Sequence, residues 1–573
     1  MAKQSLIEKI KERKVGRTLA VYLGSAWVFI EAFNFLIDKY NWNAGVLNII
    51  ILLVIFGLPA SVIYVWFQQK FTKRAIILHI INGVLAISLI SYNLISPNSL
   101  NPTQLRLLKF QDNQKKLAES IRSIVILPFD NYTGDDNQDF LAFGMHDALI
   151  SELGQLGAIR VVSTTTALSY SDSQLTIKEI ASELKVDAII EASMLSVDEN
   201  IRIQLKLINA FPEEQQLWSQ TFNSDMSNIL DLYNRVIKNI AGEIHLTLSS
   251  EQQTQLSEAR PVNPEAFKSY LRGMYNLSME TPETAKKGME YLHEAVRIDP
   301  AEAFAYAGLA MGYLEIAHGP FDTGDALKKA EAAASKAFML DTTLAEIYSA
   351  FGEIYLYSTW QFEKVEEYFK RALEINPNLD LTHYHYAWAL YLFGRMDDAI
   401  VEHKLAQKCD PLNPGHTAYL GALYFYAGRY EDAIREVNKS LEMQKDFSAG
   451  YLYLGEAYLA LGRTDEAIEV HKKLVEVAPW EKSSLAATYA RSGHRDEAEQ
   501  ILKELEQEEI YPYRAFELAK LHSLLGNIND AFKWLNYEPH HGFIAYAAVL
   551  PEFENLREDP RFQDFLNWIN LPN

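Results

Sequence analysis

The sequence predicts a mainly α-helical protein with three transmembrane helices, a small α/β domain and an α-solenoid. Three observations in the 573 residues predict this fold: three long apolar runs before residue 100, alternating strand and helix patterns over residues 123–250, and an internal repeat from residue 265 onwards. A hydrophobic content of 49% and a charged content of 22% are typical of a folded chain. The single cysteine, Cys409, excludes an internal disulfide framework and any metal site built from several cysteines.

The net charge is distributed unevenly along the chain. Residues 1–118 contain 14 Lys and Arg against 5 Asp and Glu, so they carry +9, and residues 119–573 carry −31 within the overall charge of −22. A nucleic-acid-binding protein needs a cationic face that displaces counterions from phosphates. We therefore expect no nucleic-acid partner.

The apolar runs 18–37, 46–67 and 75–95 predict a three-helix membrane anchor over residues 18–95. Each run is about 20 residues long, which is the length that a helix needs to cross about 30 Å of hydrocarbon. We therefore expect the lipid bilayer to be a partner.

The positive charges predict how this anchor is oriented. Basic residues crowd the tail 1–17 and the second loop, at Lys70, Lys73 and Arg74. The positive-inside rule then assigns both segments to the cytoplasm. We expect a multi-pass protein of the inner (cytoplasmic) membrane, with everything after about residue 96 outside the cytoplasm, which is the periplasm in a Gram-negative host.

Glu31 is an intramembrane polar residue in the first predicted span. A charge there costs about 2.5–3.5 kcal/mol on insertion scales. Two interpretations stay open. Glu31 forms a hydrogen bond between helices or a coupling site, or it reaches toward the headgroups or is protonated.

A polar linker, 96–122, precedes the predicted α/β domain, 123–250. The run SIVILPF is typical of a buried strand, and NIRIQLKLI alternates apolar and polar residues as a half-buried strand does. Asp130, Asp135, Asp136 and Asp139 lack the spacing of an EF-hand loop, so a solvated loop that caps the next helix is the favoured interpretation over calcium binding.

This region resembles a known module. The sequence SIVILPFDNYTGDDNQDFLAFGMHDALISELGQLGAIRVVSTT, followed by IKEIASELKVDAIIEASM and LWSQTF, is similar to the TolB-like domain of bacterial signalling proteins. In that group the domain follows a winged-helix regulator of the CadC type, a class III cyclase domain or a bare membrane anchor. The resemblance implies a non-enzymatic module.

Residues 265–550 repeat with a period of about 34 residues. The clearest copies read Leu420, Gly421, Tyr424, Gly428 and Ala433, then Leu454, Gly455, Tyr458, Gly462 and Ala467. The small residue lets the first helix approach its partner, and the second glycine ends that helix. The pattern resembles the tetratricopeptide repeat and gives about seven or eight copies. Residues 551–573 resemble the tail that ends such arrays, and would cap the solenoid.

No catalytic motif stands out, so we expect no enzyme, no cofactor and no metal. His383 and His385 are two residues apart and point away from each other on a helix, and the pair His540 and His541 has no third ligand nearby in sequence. Cys409 has no triad-like context and is expected to be buried.

The expected partner is a protein or peptide in the groove of the solenoid. In the resembling family the first helix of each repeat lines this groove. Counting from Asp380 gives Tyr384, Trp388 and Tyr391 on one face, with Phe425 in the next repeat and with Glu353 and Glu456 as a carboxylate rim. Such a surface suits a peptide with apolar anchors and basic residues. The alternative is that these rings pack against the neighbouring repeat.

Together these features predict a membrane-anchored, non-enzymatic scaffold or sensor. A signalling or transcription-control component related to CadC-type regulators is the alternative, although only about 17 residues precede the first span. An adenylate-cyclase-associated protein is a further alternative. The sequence leaves a homo-oligomer open.

Overall fold

The computed structural model describes residues 6–40, 45–67, 72–95, 115–132, 138–171, 173–197, 200–257, 260–279, 281–318, 325–538 and 540–571. The chain divides into two compact units, Met1–Lys116 and Leu117–Asn573. Cys409 is buried, as its context predicts.

The first unit consists of helices. They span Leu6–Glu12, Val15–Tyr40, Gly45–Trp66 and Lys73–Ile95. The hydroxyl of Tyr22 donates to the carbonyl of Val54 at 2.7 Å, and Asn82 Nδ2 donates to the carbonyl of Phe56 at 2.7 Å. These bonds satisfy polar side chains between the apolar helices.

Two helices among the described residues are long and apolar enough to cross a membrane, by length and composition: Ile49–Trp66 and Lys73–Ser91. The sequence predicts three spans, and the first predicted run lies in the helix Val15–Tyr40, which is not one of the two. The first predicted span, 18–37, therefore stays a prediction. Glu31 is exposed on that helix and makes no hydrogen bond with a described residue, so its proposed role between helices is also untested.

The second unit begins with a mixed sheet in the order β3-β1-β4-β5-β6, with β2 paired to β4. The strands are Ser123–Ile126 (β1), Asp130–Asn131 (β2), Arg160–Val161 (β3), Ala188–Val197 (β4), Asn200–Asn209 (β5) and Gln215–Asp225 (β6). β1 runs parallel to β3 and β4, whereas β4, β5 and β6 form an antiparallel meander. Along β5, Ile201, Ile203 and Leu205 are buried while Arg202 and Gln204 are exposed, as the alternation predicts.

Helices cover both faces of the sheet. Ile124 and Ile126 of β1 pack with the helices Asp139–Gly154 and Ile229–Glu243. Val125 points the other way and packs with the helices Thr164–Leu168 and Ile177–Leu184. Alternate residues of β1 therefore serve two cores, which makes this a three-layer domain.

The acidic loop lies partly outside the described residues, which omit 133–137 and so Asp135 and Asp136. Asp139 begins the next helix and accepts a hydrogen bond from Asn131 Nδ2 at 2.8 Å. Gln138 occupies the cap position without a side-chain hydrogen bond. The cap residue of this helix is therefore Gln138 and not one of the predicted aspartates.

The described part of the array contains eight antiparallel helix pairs, numbered here as repeats 1 to 8. They are Pro264–Leu277 with Pro282–Ile298, Ala303–His318 with Ala326–Leu340, Ala345–Tyr357 with Phe362–Ile375, Asp380–Leu392 with Met396–Cys409, Pro414–Tyr426 with Tyr430–Met443, Ser448–Ala460 with Thr464–Val477, Lys482–Arg491 with Arg495–Gln507, and Pro512–Leu524 with Ile528–Leu535.

Glycines have the two roles that the sequence predicts. Gly394, Gly428 and Gly462 join the helices of their repeats with φ near +73°, a left-handed conformation that glycine adopts without strain. Gly421 lies where the paired helices approach each other. A Cβ atom there would meet the Val437 side chain at 2.6 Å, so only glycine fits.

The chain does not simply cap the array where the repeats end. Two 3₁₀ segments, Gly542–Ala548 and Pro551–Leu556, precede the last helix, Pro560–Trp568. The first contacts the leading helices of repeats 3 and 4, and the second contacts the leading helix of repeat 8. We call residues 540–556 the return segment, because they fold back onto earlier repeats. The predicted cap, 551–573, begins with the segment on repeat 8, whereas the segment on repeats 3 and 4, Gly542–Ala548, lies in the range that was predicted to belong to the solenoid.

Candidate partner-binding site

The predicted groove residues of repeat 4 lie on one face of the helix Asp380–Leu392. The ring centroids of Tyr384 and Trp388 are 6.4 Å apart, and those of Trp388 and Tyr391 are 5.8 Å apart. We call these three residues the aromatic stripe. Tyr391 is buried, and the other two are half-buried.

The stripe packs against the neighbouring repeat. Tyr391 stacks on Tyr426 with centroids 4.8 Å apart, and Trp388 meets Tyr419 edge-on at 6.1 Å. This packing is the alternative that the sequence left open. Phe425 was predicted to continue the stripe, but its ring packs on Tyr430, and the next residue, Tyr426, takes that place.

The return segment covers the same stripe. Tyr546 lies 6.1 Å from Trp388 and 6.3 Å from Tyr391, measured between ring centroids. Phe543 lies 5.6 Å from Tyr357 of repeat 3. Tyr546 is only 5% exposed, and Ile544 is buried beside it. The inner face, formed by the leading helices of the repeats, therefore already binds a short aromatic segment of its own chain.

The tyrosines of this inner face remain neutral. Burial raises the pKa of the Tyr384 and Tyr426 hydroxyls well above the usual value, and the same cause raises the pKa of Tyr546. Burial also lowers the pKa of the nearby His403 to about 3, so its imidazole stays uncharged at pH 7. The surface is therefore aromatic and uncharged, which suits apolar side chains.

Glu353 does not lie on an exposed rim, contrary to the prediction. It is 7% exposed, and its Oε2 lies 3.2 Å from His318 Nε2 and 3.3 Å from His385 Nε2. Tyr357 Oη lies 3.2 Å from His385 Nδ1. Burial lowers the pKa of His385 to about 4. The curvature of the array brings the leading helices of repeats 2, 3 and 4 together at this point.

Glu456 is also buried rather than on a rim. It accepts two hydrogen bonds of 2.5 Å from Arg491 of the next repeat. The return segment brings Glu552 into the same charged group, where burial raises its pKa. Burial by itself would lower the pKa of Lys520 in this group, but the negative charges of Glu517 and Glu552 outweigh burial and raise it. Glu456 thus belongs to an internal network of ion pairs, and neither of the two predicted rim carboxylates lies on an exposed rim.

The sequence did not single out Tyr419, Tyr426 or the return segment. The first two could have been predicted from the local sequence, because they are tyrosines seven residues apart on the helix Pro414–Tyr426. Tyr546 could not, because it lies beyond the last repeat. The His318, Glu353 and His385 cluster was also missed, although His385 was correctly separated from His383, which instead faces Glu402 at 2.6 Å.

A second cluster lies where the array meets the sheet domain. Asp380 accepts from His416 Nε2 at 2.9 Å. Asp410 accepts from the hydroxyls of Ser163 and Thr166, at 2.5 and 2.6 Å. The bond from His416 joins repeats 4 and 5, whereas the two hydroxyl bonds hold the sheet domain against the end of repeat 4 and satisfy the carboxylate of Asp410.

Comparison with known families addresses the repeats. Residues 420–479 match the family model described as tetratricopeptide repeat. The chain contains tetratricopeptide repeats. The matched segment covers repeat 5 from the second half of its leading helix and all of repeat 6, and the other helix pairs continue the same arrangement.

Two curated relatives are similar over longer stretches. A Rhizobium meliloti protein named "Putative adenylate cyclase 3" is 24% identical over 189 residues, which are 33% of this chain and 32% of the relative. The transcriptional regulator HilA of Salmonella typhimurium is 25% identical over 354 residues, which are 60% of this chain and 57% of HilA. The chain thus spans about a third of the length of the relative named as a cyclase and somewhat over half of the length of HilA.

Three solved structures are also similar. They are PilF of Pseudomonas aeruginosa, a repeat protein of Parabacteroides merdae, and YrrB, described as having an unusual peptide-binding site. Their sequence identities are 15%, 15% and 19%, and their TM-scores are 0.27, 0.32 and 0.23. They cover 47%, 42% and 32% of this chain, and the chain covers 98%, 98% and 89% of them.

Proposed function

We propose that this chain is a membrane-anchored, non-enzymatic scaffold or sensor whose inner face binds a peptide segment of a partner protein. One observation carries the proposal: Trp388 and Tyr391 of the aromatic stripe contact Tyr546 of the return segment, and Tyr357 of repeat 3 contacts its Phe543. A surface that binds one short aromatic segment can bind another with the same anchors. Curved repeat arrays provide this kind of extended binding surface.

The chemistry of the stripe defines the partner. Its rings are uncharged, so the best ligand is a short segment with two aromatic anchors at the spacing of Phe543 and Tyr546. The return segment competes as an intramolecular ligand at an effective concentration on the order of millimolar. A partner must therefore displace it, and weakening the return segment should strengthen partner binding.

The test uses a fluorescent synthetic peptide with the sequence of residues 540–556 and the full-length protein in detergent. Fluorescence anisotropy should show weak binding to the unchanged protein and at least tenfold tighter binding to the Tyr546→Ala variant. Trp388→Ala introduced into that variant should remove the binding. Tyr132→Ala, at an exposed tyrosine of the sheet domain, is the matched control and should leave the affinity unchanged.

If the peptide binds none of these proteins, the return segment is a permanent part of the fold and the peptide-binding proposal fails. If it binds equally well with and without Trp388, the peptide occupies some other surface. Circular dichroism on each variant separates loss of binding from loss of the repeat fold.

We infer that the soluble part lies outside the cytoplasm and that the sheet domain is a TolB-like module. The basic second loop, at Lys70, Lys73 and Arg74, and the apolar helix that follows it support this orientation. The basic tail 1–17 agrees with it when the first predicted run also crosses the membrane. A reporter enzyme that is active only in the periplasm, fused to the C-terminus, should be active, and a cytoplasmic reporter should be silent. The opposite result would reverse the topology and move the array into the cytoplasm.

The similarity to HilA over 60% of the chain favours a second candidate, a component of a transcription-control system. The full-length protein should then show sequence-specific binding to duplex DNA at physiological salt, whereas a scaffold should show none. The relative named as a cyclase supplies a further check, because measured formation of cyclic AMP from ATP would reject the non-enzymatic proposal.

A further inference from the structure

The inner face contains a cluster of metal-ligating side chains that peptide binding does not use. It consists of His318 at the end of the leading helix of repeat 2, Glu353 in repeat 3 and His385 in repeat 4. One ligand atom from each residue lies within 4.8 Å of the other two. Three successive repeats thus each contribute one ligand to the same point.

The distances fit a bound metal ion. Zinc binds histidine nitrogen and carboxylate oxygen at about 2.0–2.2 Å, so two ligands of a tetrahedral zinc ion are separated by about 3.3 Å. The observed separations from Glu353 Oε2 are 3.2 Å to His318 Nε2 and 3.3 Å to His385 Nε2. A direct charge-assisted hydrogen bond is shorter, at about 2.7–2.9 Å.

The surroundings of the three ligands agree with these distances. Tyr357 Oη lies 3.2 Å from His385 Nδ1, and a hydrogen bond donated by that nitrogen leaves the Nε2 lone pair facing the cluster. Metal-binding histidines are commonly oriented in this way by a second hydrogen bond. Glu353 is buried, and its partners among the described residues are the two imidazoles.

We propose that His318, Glu353 and His385 bind one divalent transition-metal ion of the zinc type, with a fourth position open to water. A divalent cation would compensate the charge of the buried carboxylate. It would also fasten three leading helices to one another at the inner face. The cluster of Asp380, Asp410 and His416 is not part of the proposal, because hydroxyl donors already satisfy Asp410.

The competing explanation is a hydrogen-bonded His–Glu–His group without a metal. In that case Tyr357 donates to His385 Nδ1, and both Nε2 atoms carry protons and donate to Glu353. The two explanations differ in metal affinity, because only the first leaves two nitrogen lone pairs available to an ion.

The experiment uses the full-length protein in detergent, stripped with a chelator and titrated with Co²⁺ as a spectroscopic probe for zinc. We expect the visible absorption of tetrahedral Co²⁺, saturation at one ion per chain, and its loss when Zn²⁺ is added. His385→Gln and Glu353→Gln should each lower Co²⁺ affinity at least tenfold. Zn²⁺ should raise the melting temperature of the unchanged protein but not of these variants.

Two further variants make the outcome decisive. His293→Gln, at an exposed histidine that faces Tyr313, is the matched control and should keep the Co²⁺ spectrum. If buried substitutions unfold the array, His318→Gln replaces them, because its side chain is 22% exposed at a helix end. The proposal is overturned if the unchanged protein shows no Co²⁺ spectrum, or if the spectrum survives in folded His318→Gln and His385→Gln.

Discussion

Replacing Trp388 by alanine tests whether the aromatic stripe is packed core or an open groove. The Trp388 ring meets Tyr384, Tyr419, Tyr426 and Tyr546, so its removal leaves a cavity shared by two repeats and the return segment. Replacing a buried aromatic residue by alanine costs about 3–5 kcal/mol. Because Trp388 is half-buried, we expect about 3 kcal/mol.

Hydrogen exchange measured by mass spectrometry is the suitable assay, because a repeat array joined to a second domain does not unfold in one step. Peptides that cover the helix Asp380–Leu392 should exchange faster in Trp388→Ala by the factor that corresponds to about 3 kcal/mol, which is on the order of a hundredfold. Peptides from the sheet domain should be unchanged.

Trp388→Phe is the matched control, because it keeps an aromatic ring in the same place. We expect a loss below about 1.5 kcal/mol for this substitution. If Trp388→Ala changes the exchange of repeat 4 no more than Trp388→Phe does, the ring is not packed against its neighbours. The reasoning from the ring contacts would then be wrong, and an open groove would be the better description.

Three other predictions follow from single contacts. Burial lowers the pKa of His146 to about 4, so between pH 6.5 and 4 the unfolded chain binds one more proton than the folded chain. The free energy of unfolding of the sheet domain should therefore fall by about 3 kcal/mol as the pH falls from 6.5 to 4. In urea unfolding, His146→Gln should reduce this dependence on pH. Gly421→Ala places a Cβ atom 2.6 Å from the paired helix of repeat 5 and should cost about 1–3 kcal/mol, measured as local hydrogen exchange, with no change in repeat 2. Arg491→Ala leaves the carboxylate of Glu456 buried without its cation and should lower the free energy of unfolding by about 3 kcal/mol. This value is the lower end of the range for breaking a buried ion pair, because a quarter of the Arg491 side chain is exposed. An unchanged denaturation midpoint would contradict this.

Patterns of short period predicted the local structure well. The alternation of apolar and polar residues in NIRIQLKLI predicted a half-buried strand, and β5 buries Ile201, Ile203 and Leu205 as expected. The repeat signature predicted the glycine at position 421 and its close contact with the paired helix. Each of these features depends on residues near one another in sequence, so the sequence contains the information.

The predicted site was less complete, because its neighbours are distant in sequence. Helical spacing placed Tyr384, Trp388 and Tyr391 on one face, but it does not show what covers that face, and Tyr546 arrives from beyond the last repeat. Glu353 was expected at an exposed rim for the same reason. Its burial depends on how closely successive repeats curve, which the spacing within one repeat does not determine.

The histidine cluster and the return segment are joined by one side chain. Phe543 lies 6.0 Å from His318 and 5.6 Å from Tyr357, and Tyr357 in turn meets His385. A metal ion that fixes His318 and His385 would also fix the aromatic pocket that holds Phe543. A partner peptide that displaces Phe543 would place its own aromatic anchor beside the same histidines. Because coupling between two binding equilibria is reciprocal, the factor by which a bound metal ion changes the affinity for the partner should equal the factor by which the partner changes the affinity for the metal ion.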